Sequence, residues 1–300
     1  MKLPQFELHR PTSVDAAARL LADLGDDGSA FSGGTELLLA MKLGLIKSRH
    51  LVDLKGLPEL HGIELRPGGV WIGAGVTHAE IEASPAVRAI LAPLAVMASQ
   101  IANMRVRAVG TIGGNLCFAD PNSDPATFLS AVGARLRTWV RGESREVAPE
   151  EFTVGPYQTV LEPGDLLLGV WVPTPPPSAN VVHLRMKIHE RPSVTVAAMV
   201  EASHGEVVAA RLAVGSVGPK VLQVDLGEEL RGLGGSAYSS RVGALVALLA
   251  GSIPLLPERP ESPEYQRHLV RVLSTRALEV GLAAATSSAG RPAQNGGGEA

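Results

Sequence analysis

The spacing of apolar residues changes period along the chain, and each change marks an element. Phe6 to His9 reads as a short extended segment. From Ser13 the pattern turns helical, with Val14, Ala17, Ala18, Leu21 and Leu24 on one face, Ser13 as the expected cap and Gly25-Asp26-Asp27-Gly28 as the stop. Ala30 to Ser32 reads as a strand running into Gly33-Gly34, followed by a helical run from Thr35 to Lys42 and a strand at His50 to Asp53. Gly62 to Leu65 and Val70 to Ala74 flank Pro67-Gly68-Gly69 and read as a hairpin. Helices are expected around His78 to Glu82 and Ala86 to Met104, then a glycine-rich loop from Gly110 to Asn115. An apolar helix follows Pro121 to Pro125, with strands near Ala134 to Arg141 and Leu166 to Val172. Three strands of one sheet are expected at Val181 to Ile188, Val194 to Ala202 and Ala209 to Val217, then helices at Tyr238 to Leu249 and Pro263 to Ala285.

Breaks at Gly56-Leu57-Pro58 and Pro173 to Pro177 divide this α/β pattern into 1–57, 58–175 and 176–286. Residues 287–300 are small and polar and are expected to be disordered.

Composition removes several function classes. A net charge of −3 gives no electrostatic ground for nucleic acid or an anionic membrane as partner. The N-terminus has no apolar stretch behind its charges, so it does not read as a secretory signal. No apolar run approaches the ~20 residues of a membrane-spanning helix; Val242 to Leu256 is interrupted by Gly251 and Pro254. The chain therefore reads as cytoplasmic. The single cysteine, Cys117, excludes an internal disulfide and an all-thiolate iron–sulfur cluster. With no base or cation evident beside it in sequence, Cys117 is expected to be a small buried residue rather than a nucleophile. The histidines show no metal-ligand spacing, the nearest pair being His183 and His189, so no metal is expected.

The candidate chemistry lies in two loops. In Phe31-Ser32-Gly33-Gly34-Thr35-Glu36-Leu37 a strand meets a helix through paired glycines, where backbone amides can approach an anion unobstructed by Cβ atoms. Gly110-Thr111-Ile112-Gly113-Gly114-Asn115 pairs glycines with a hydroxyl and a side-chain amide. Together the loops suit the two phosphates of a dinucleotide. Neither is a P-loop, for no lysine follows the glycines, and Gly73-Ala74-Gly75-Val76-Thr77-His78 lacks the third glycine of a Rossmann fingerprint. Taken alone, glycine pairs are most often turns.

Read with their flanks, these segments resemble the flavoprotein family of the molybdenum hydroxylases. Ser32-Gly33-Gly34-Thr35-Glu36-Leu37-Leu38 with Met41-Lys42 resembles its first FAD motif. Thr111-Ile112-Gly113-Gly114-Asn115-Leu116-Cys117, continued by Ala119-Asp120-Pro121 and Ser123-Asp124, resembles its second. Ile72 to Ile81, Val214-Gly215-Ser216-Val217-Gly218-Pro219 and Tyr265 to Leu269 are similar to further family segments, in family order.

The resemblance implies a two-subdomain FAD-binding fold of the vanillyl-alcohol-oxidase type (PCMH-type), with a C-terminal sheet-and-helix domain of the carbon monoxide dehydrogenase flavoprotein type. It implies non-covalent FAD contacts at Ala30, Phe31, Ser32, Gly33, Gly34, Thr35, Glu36 and Leu37, at Thr77, His78 and Ile101, and at Gly110, Thr111, Ile112, Gly113, Gly114 and Asn115. It adds Asp124 as a hydrogen-bonding carboxylate, Leu167 as an apolar contact and Lys187 as a cation near the ring system. From residue type alone, Asp124 is an ordinary turn or cap residue, Leu167 core and Lys187 a solvated lysine. No catalytic residue is implied in this chain. The implied partners are a large subunit with the molybdenum cofactor and a small subunit with two [2Fe–2S] clusters, in a heterotrimer, possibly doubled. The implied role is to pass electrons through FAD to NAD⁺, a quinone or dioxygen. The sequence departs from the family at Arg191-Pro192-Ser193-Val194, where some relatives carry an acid, and at Phe118, so no acceptor is assigned. A self-contained flavin oxidoreductase and a cofactor-free interaction protein are the competing classes; the first would show catalytic acids or a covalent anchor, the second would not keep glycine pairs.

Overall fold

The computed structural model describes residues 2–188, 191–257 and 259–288. The first sheet is parallel and three-stranded, with β1 (Glu7–His9) and β2 (Gly28–Phe31) on either side of β3 (His50–Asp53). α1 (Val14–Leu24) joins β1 to β2 and buries Val14, Ala17, Ala18 and Leu21 of the predicted stripe, while Leu24, at its end, is only half-buried. Its cap is Ser13, whose side chain accepts from Ala16 N–H, and Gly25 ends it at a φ of +52°. α2 (Leu37–Lys42) leads from β2 toward β3 and is shorter than expected, because Thr35 and Glu36 lie in a turn.

The second sheet is antiparallel and runs β4 (Ile63–Arg66), β5 (Gly69–Gly73), β10 (Leu166–Pro173), β6 (Arg135–Val140) and β7 (Glu143–Val147). Between β5 and β6 the chain forms α3 (His78–Ala83), α4 (Pro85–Ser99), α5 (Met104–Arg107), α6 (Ile112–Phe118) and α7 (Asp124–Ala131). Between β7 and β10 lie α8 (Pro149–Phe152) and a small pair, β8 (Thr153–Gly155) with β9 (Gln158–Thr159). Two expectations fail here. The single helix from Ala86 to Met104 is broken: Pro93 supplies no N–H and crowds the preceding turn, and Leu91 leaves the helical region at φ −155°, ψ 77°. The chain ends α4 at Ser99 and begins α5 only after Asn103 caps it. The loop from Gly110 to Asn115 is largely helix, for α6 starts at Ile112 and contains both glycines.

The third sheet is an antiparallel meander of β11 (Ala179–Met186), β12 (Val194–Ser203), β13 (Glu206–Gly215) and β14 (Leu222–Asp225). α9 (Gly227–Leu230), α10 (Gly235–Ser252) and α11 (Pro263–Ser288) follow. α11 packs on β12, where a Cβ on Gly281 would stand 2.8 Å from Val200 Cγ2, so glycine permits the close approach. The helix runs to Ser288, two residues into the segment expected to be disordered; the rest of that expectation, and His189 and Glu190, lie outside the described residues.

α7 ties the second sheet to the third. It packs on β12 and β13, and any side chain on Gly215 would collide with Thr127 Oγ1. Asp124, at the start of α7, accepts hydrogen bonds from Arg185 (2.8 Å) and Thr195 (2.8 Å), and Thr195 Oγ1 lies 3.0 Å from Ser216 Oγ. Removing one member would strand a buried charge or hydroxyl, which makes this polar contact costly to break. Among the described residues no helix is long and apolar enough to cross a membrane.

Candidate functional site

The two glycine segments meet at one cleft, and they use their backbones in opposite ways. Phe31 ends β2, and its carbonyl accepts from Leu54 N–H at 2.8 Å. Gly34 then takes a φ of +71°, and a Cβ there would stand 2.5 Å from Phe31 Cε2. A side chain on Gly33 would collide with Val109 O, which presses the first loop against the second. The chain enters α2 with Leu38 N–H donating to Gly34 O at 3.1 Å. The N–H groups of Gly33, Gly34, Thr35 and Glu36 have no acceptor among the described residues. Four successive unpaired donors are a cradle for an anion, since desolvating them without an acceptor would be unfavourable.

From Ile112 to Asn115 the backbone donors are already committed. Ile112 N–H donates to Val76 O (2.9 Å) and Gly113 N–H to Ala74 O (2.9 Å). Gly114 N–H donates to Thr111 Oγ1 (3.0 Å), so Thr111 is the cap of α6. Gly113 is glycine because a Cβ would stand 2.6 Å from both the Cβ and the carbonyl oxygen of Ala74. What this segment presents to the cleft is bare backbone and the side chain of Asn115. Asn115 Oδ1 accepts from Ser123 Oγ at 2.5 Å, which leaves its amide N–H groups available.

The cleft has a volume of about 320 Å³. Its wall takes Ala30, Ser32, Gly33, Gly34, Thr35, Glu36 and Leu37 from the first segment, His78 and Ile101 from the middle, Gly110, Thr111, Gly113, Gly114 and Asn115 from the second, and Leu167 from β10. Five expected contacts stand off the wall: Phe31, Thr77, Ile112, Asp124 and Lys187. Phe31 packs beneath Gly34 with Lys55 Nζ 4.4 Å from its ring centre, and Ile112 is core. Thr77 forms a capping box with Glu80 at the start of α3. Asp124 and Lys187 line an adjoining hollow of about 120 Å³ that shares Glu36, Ile101, Asn115 and Phe118 with the cleft. Asp124 is buried and its oxygens serve Arg185 and Thr195; Lys187 is exposed just beyond the end of β11, not inside a strand. Sequence reasoning missed Leu54, Leu60, Val106, Leu161, Asp165 and Leu166 on the wall. They come from strand ends, turns and the short helix α5, brought together only by the fold, and nothing local marks them.

Two polar side chains on the wall are held neutral. His78 is buried, its Nδ1 has no hydrogen-bond partner, and burial with the nearby Arg107 cation lowers it to about 4. Cys117 is exposed on the wall rather than buried as expected, although the protein packed round it excludes enough solvent to push its thiol up to about 12. Such a thiol is un-ionised at neutral pH and is a poor nucleophile. At the rim, Arg191, ahead of β12, donates to Glu36 (3.1 Å) and to Asp120, linking the approach to the third sheet to the first glycine segment and to the loop after α6.

Residues 4–175 match the family described as the FAD binding domain in molybdopterin dehydrogenase. Over 277 residues the chain is 31% identical to the carbon monoxide dehydrogenase medium chain of Afipia carboxidovorans, covering 91% of this chain and 96% of that one. It is 30% identical to the nicotine 6-hydroxylase medium subunit of Paenarthrobacter nicotinovorans, covering 93% and 98%. Among solved structures it is similar to carbon monoxide dehydrogenase from Hydrogenophaga pseudoflava lacking the Mo-pyranopterin moiety of its cofactor, with a TM-score of 0.88, 30% identity, and 96% and 99% of the two chains covered.

Proposed function

This chain belongs to the family of FAD-binding medium subunits of the molybdopterin dehydrogenases, and from that premise we propose that it is the electron relay of a cytoplasmic molybdenum hydroxylase. Electrons from [2Fe–2S] clusters on a small partner subunit would pass through its flavin site to NAD⁺, a quinone or dioxygen. Substrate hydroxylation would belong to a large partner carrying the molybdenum cofactor, and the three chains would form a heterotrimer, possibly doubled. The observation that carries this reading is the row of unpaired amides from Gly33 to Glu36 beside a cleft of mainly apolar and glycine wall.

FAD fits the residues present, for its pyrophosphate is the anion such amides accept, and FAD supplies chemistry that handles electrons singly or in pairs. Gly33 to Glu36 would hold the phosphates. Gly113 and Gly114 would let the dinucleotide lie close to α6, and the Asn115 amide would donate to it. Leu167 and Ile101 would exclude water. His78, kept neutral, would add a polar edge without a charge. Asp124 and Lys187 would act from the adjoining hollow, Lys187 as a cation favouring reduced, anionic flavin. The three sheets support dividing the chain at 57/58 and 175/176.

The test is the visible absorption of the purified chain after addition of FAD and gel filtration. Flavin bands should travel with the protein, and reduction by a co-expressed iron–sulfur partner should bleach them. A colourless protein, both alone and in the co-expressed complex, would refute the reading.

A further inference from the structure

We propose that Glu7, His9 and His50 form a binding site for a divalent ion of the zinc class on one face of the first sheet. Strand pairing makes the site. Glu7 and His9 are two apart on β1 and so project to the same side, and the parallel register sets Glu7 opposite His50 on β3. One potential ligand atom from each residue lies within 4.8 Å of the others. His9 Nε2 is 3.1 Å from His50 Nδ1. Glu7 Oε1 is 3.9 Å from His9 Nε2, and Glu7 Oε2 is 3.6 Å from His50 Nδ1. Ligands at ~2.0–2.1 Å from a tetrahedral ion stand roughly 3.3–3.4 Å apart; the two ring nitrogens already stand about that far apart, and a rotation of the exposed Glu7 carboxylate would bring one of its oxygens to the third corner of that face. Both histidines are half-buried and Glu7 is exposed, which leaves the fourth position to water.

Two imidazoles and one carboxylate suit zinc rather than magnesium or calcium, which take oxygen ligands. The bound ion would clip β1, an edge strand of three residues, to the centre of its sheet. None of the three residues lines the cleft, so the inference stands apart from the flavin reading. Sequence spacing concealed it because the two histidines are 41 residues apart. The competing account is a plain N–H···N bond between the rings beside a surface acid.

The experiment is a competition titration of the chelator-stripped, dialysed full-length chain with ZnCl₂ alone. One equivalent should bind, excess Mg²⁺ should not displace it, and the melting temperature should rise with Zn²⁺. His9→Gln and His50→Gln should each weaken binding by about 100-fold or more, and Glu7→Gln by about tenfold. His61→Gln, outside the cluster, should match the wild type, and an unchanged circular dichroism spectrum in each metal-free variant reports an intact fold. No saturable Zn²⁺ binding, or an affinity unchanged in either histidine variant, would overturn the proposal.

Discussion

The two glycine pairs are alike in sequence and opposite in use. Gly33-Gly34 leaves a row of amides unpaired, and a left-handed φ at Gly34 holds them in place. Around Gly113-Gly114 the amides of Ile112, Gly113 and Gly114 are spent on Val76 O, Ala74 O and the Thr111 hydroxyl, respectively. The first pair is a donor surface and the second is a spacer that lets α6 seat against Ala74 and keeps the cleft open. A glycine pair therefore carries no fixed meaning; the fate of its N–H groups decides its role.

Substitutions can break this contrast. Gly34→Val places a β-branched residue at positive φ against Phe31 and should disperse the donor row. FAD affinity should fall at least ~100-fold, equivalent to about 3 kcal/mol, in a fluorescence titration; near-native affinity would remove the first loop from the site. Next, Gly113→Val forces a side chain into Ala74 and should cost about 3 kcal/mol of stability by overpacking, read from urea midpoints. Gly114→Val meets only Thr111 Oγ1, at 2.8 Å, so it should spare the fold while blocking FAD retention. If Gly113→Val were neutral for stability, the spacer role would fail.

His78 gives a pH test of the same wall. Its folded value, about 4, lies below the ordinary 6.5, so well above pH 6.5 it is neutral in both states. As pH falls from 6.5 toward 4 the unfolded chain takes up a proton that the folded chain refuses, and stability drops by about 2 kcal/mol between pH 7 and 5. His78→Gln should flatten that part of the dependence in urea midpoints measured at both pH values. The smallest expected effect is Thr111→Val. Losing the cap of α6 should cost about 1 kcal/mol, again by urea midpoint.

How much the sequence reveals depends on whether the cause is local. The α1 stripe, its Ser13 cap and the strand–glycine–helix passage at Phe31 to Leu37 are local patterns, and they stand in the fold. α6 was not legible as a helix because two glycines weigh against one. Its first turn is held by Ile112 and Gly113 N–H groups donating to the carbonyls of Val76 and Ala74, acceptors that tertiary structure supplies. β7 carries no apolar alternation because it is polar and mostly exposed, although the Arg141-Gly142 turn, with φ of +52° and +87°, makes a tight hairpin. The break in α4 has a local cause, for Pro93 inside an apolar helical pattern marks a kink. The wall residues Leu161 and Asp165, and the pairing of His9 with His50, depend on contacts distant in sequence that no local pattern encodes.

Amide hydrogen exchange with and without FAD tests the central claim most directly. The amides of Gly33 to Glu36 should exchange fast in the free chain and become protected when FAD binds. Those of Ile112 to Gly114 should be protected throughout and change little. Protection gained at 112–114 with none at 33–36 would contradict the assignment of the two loops.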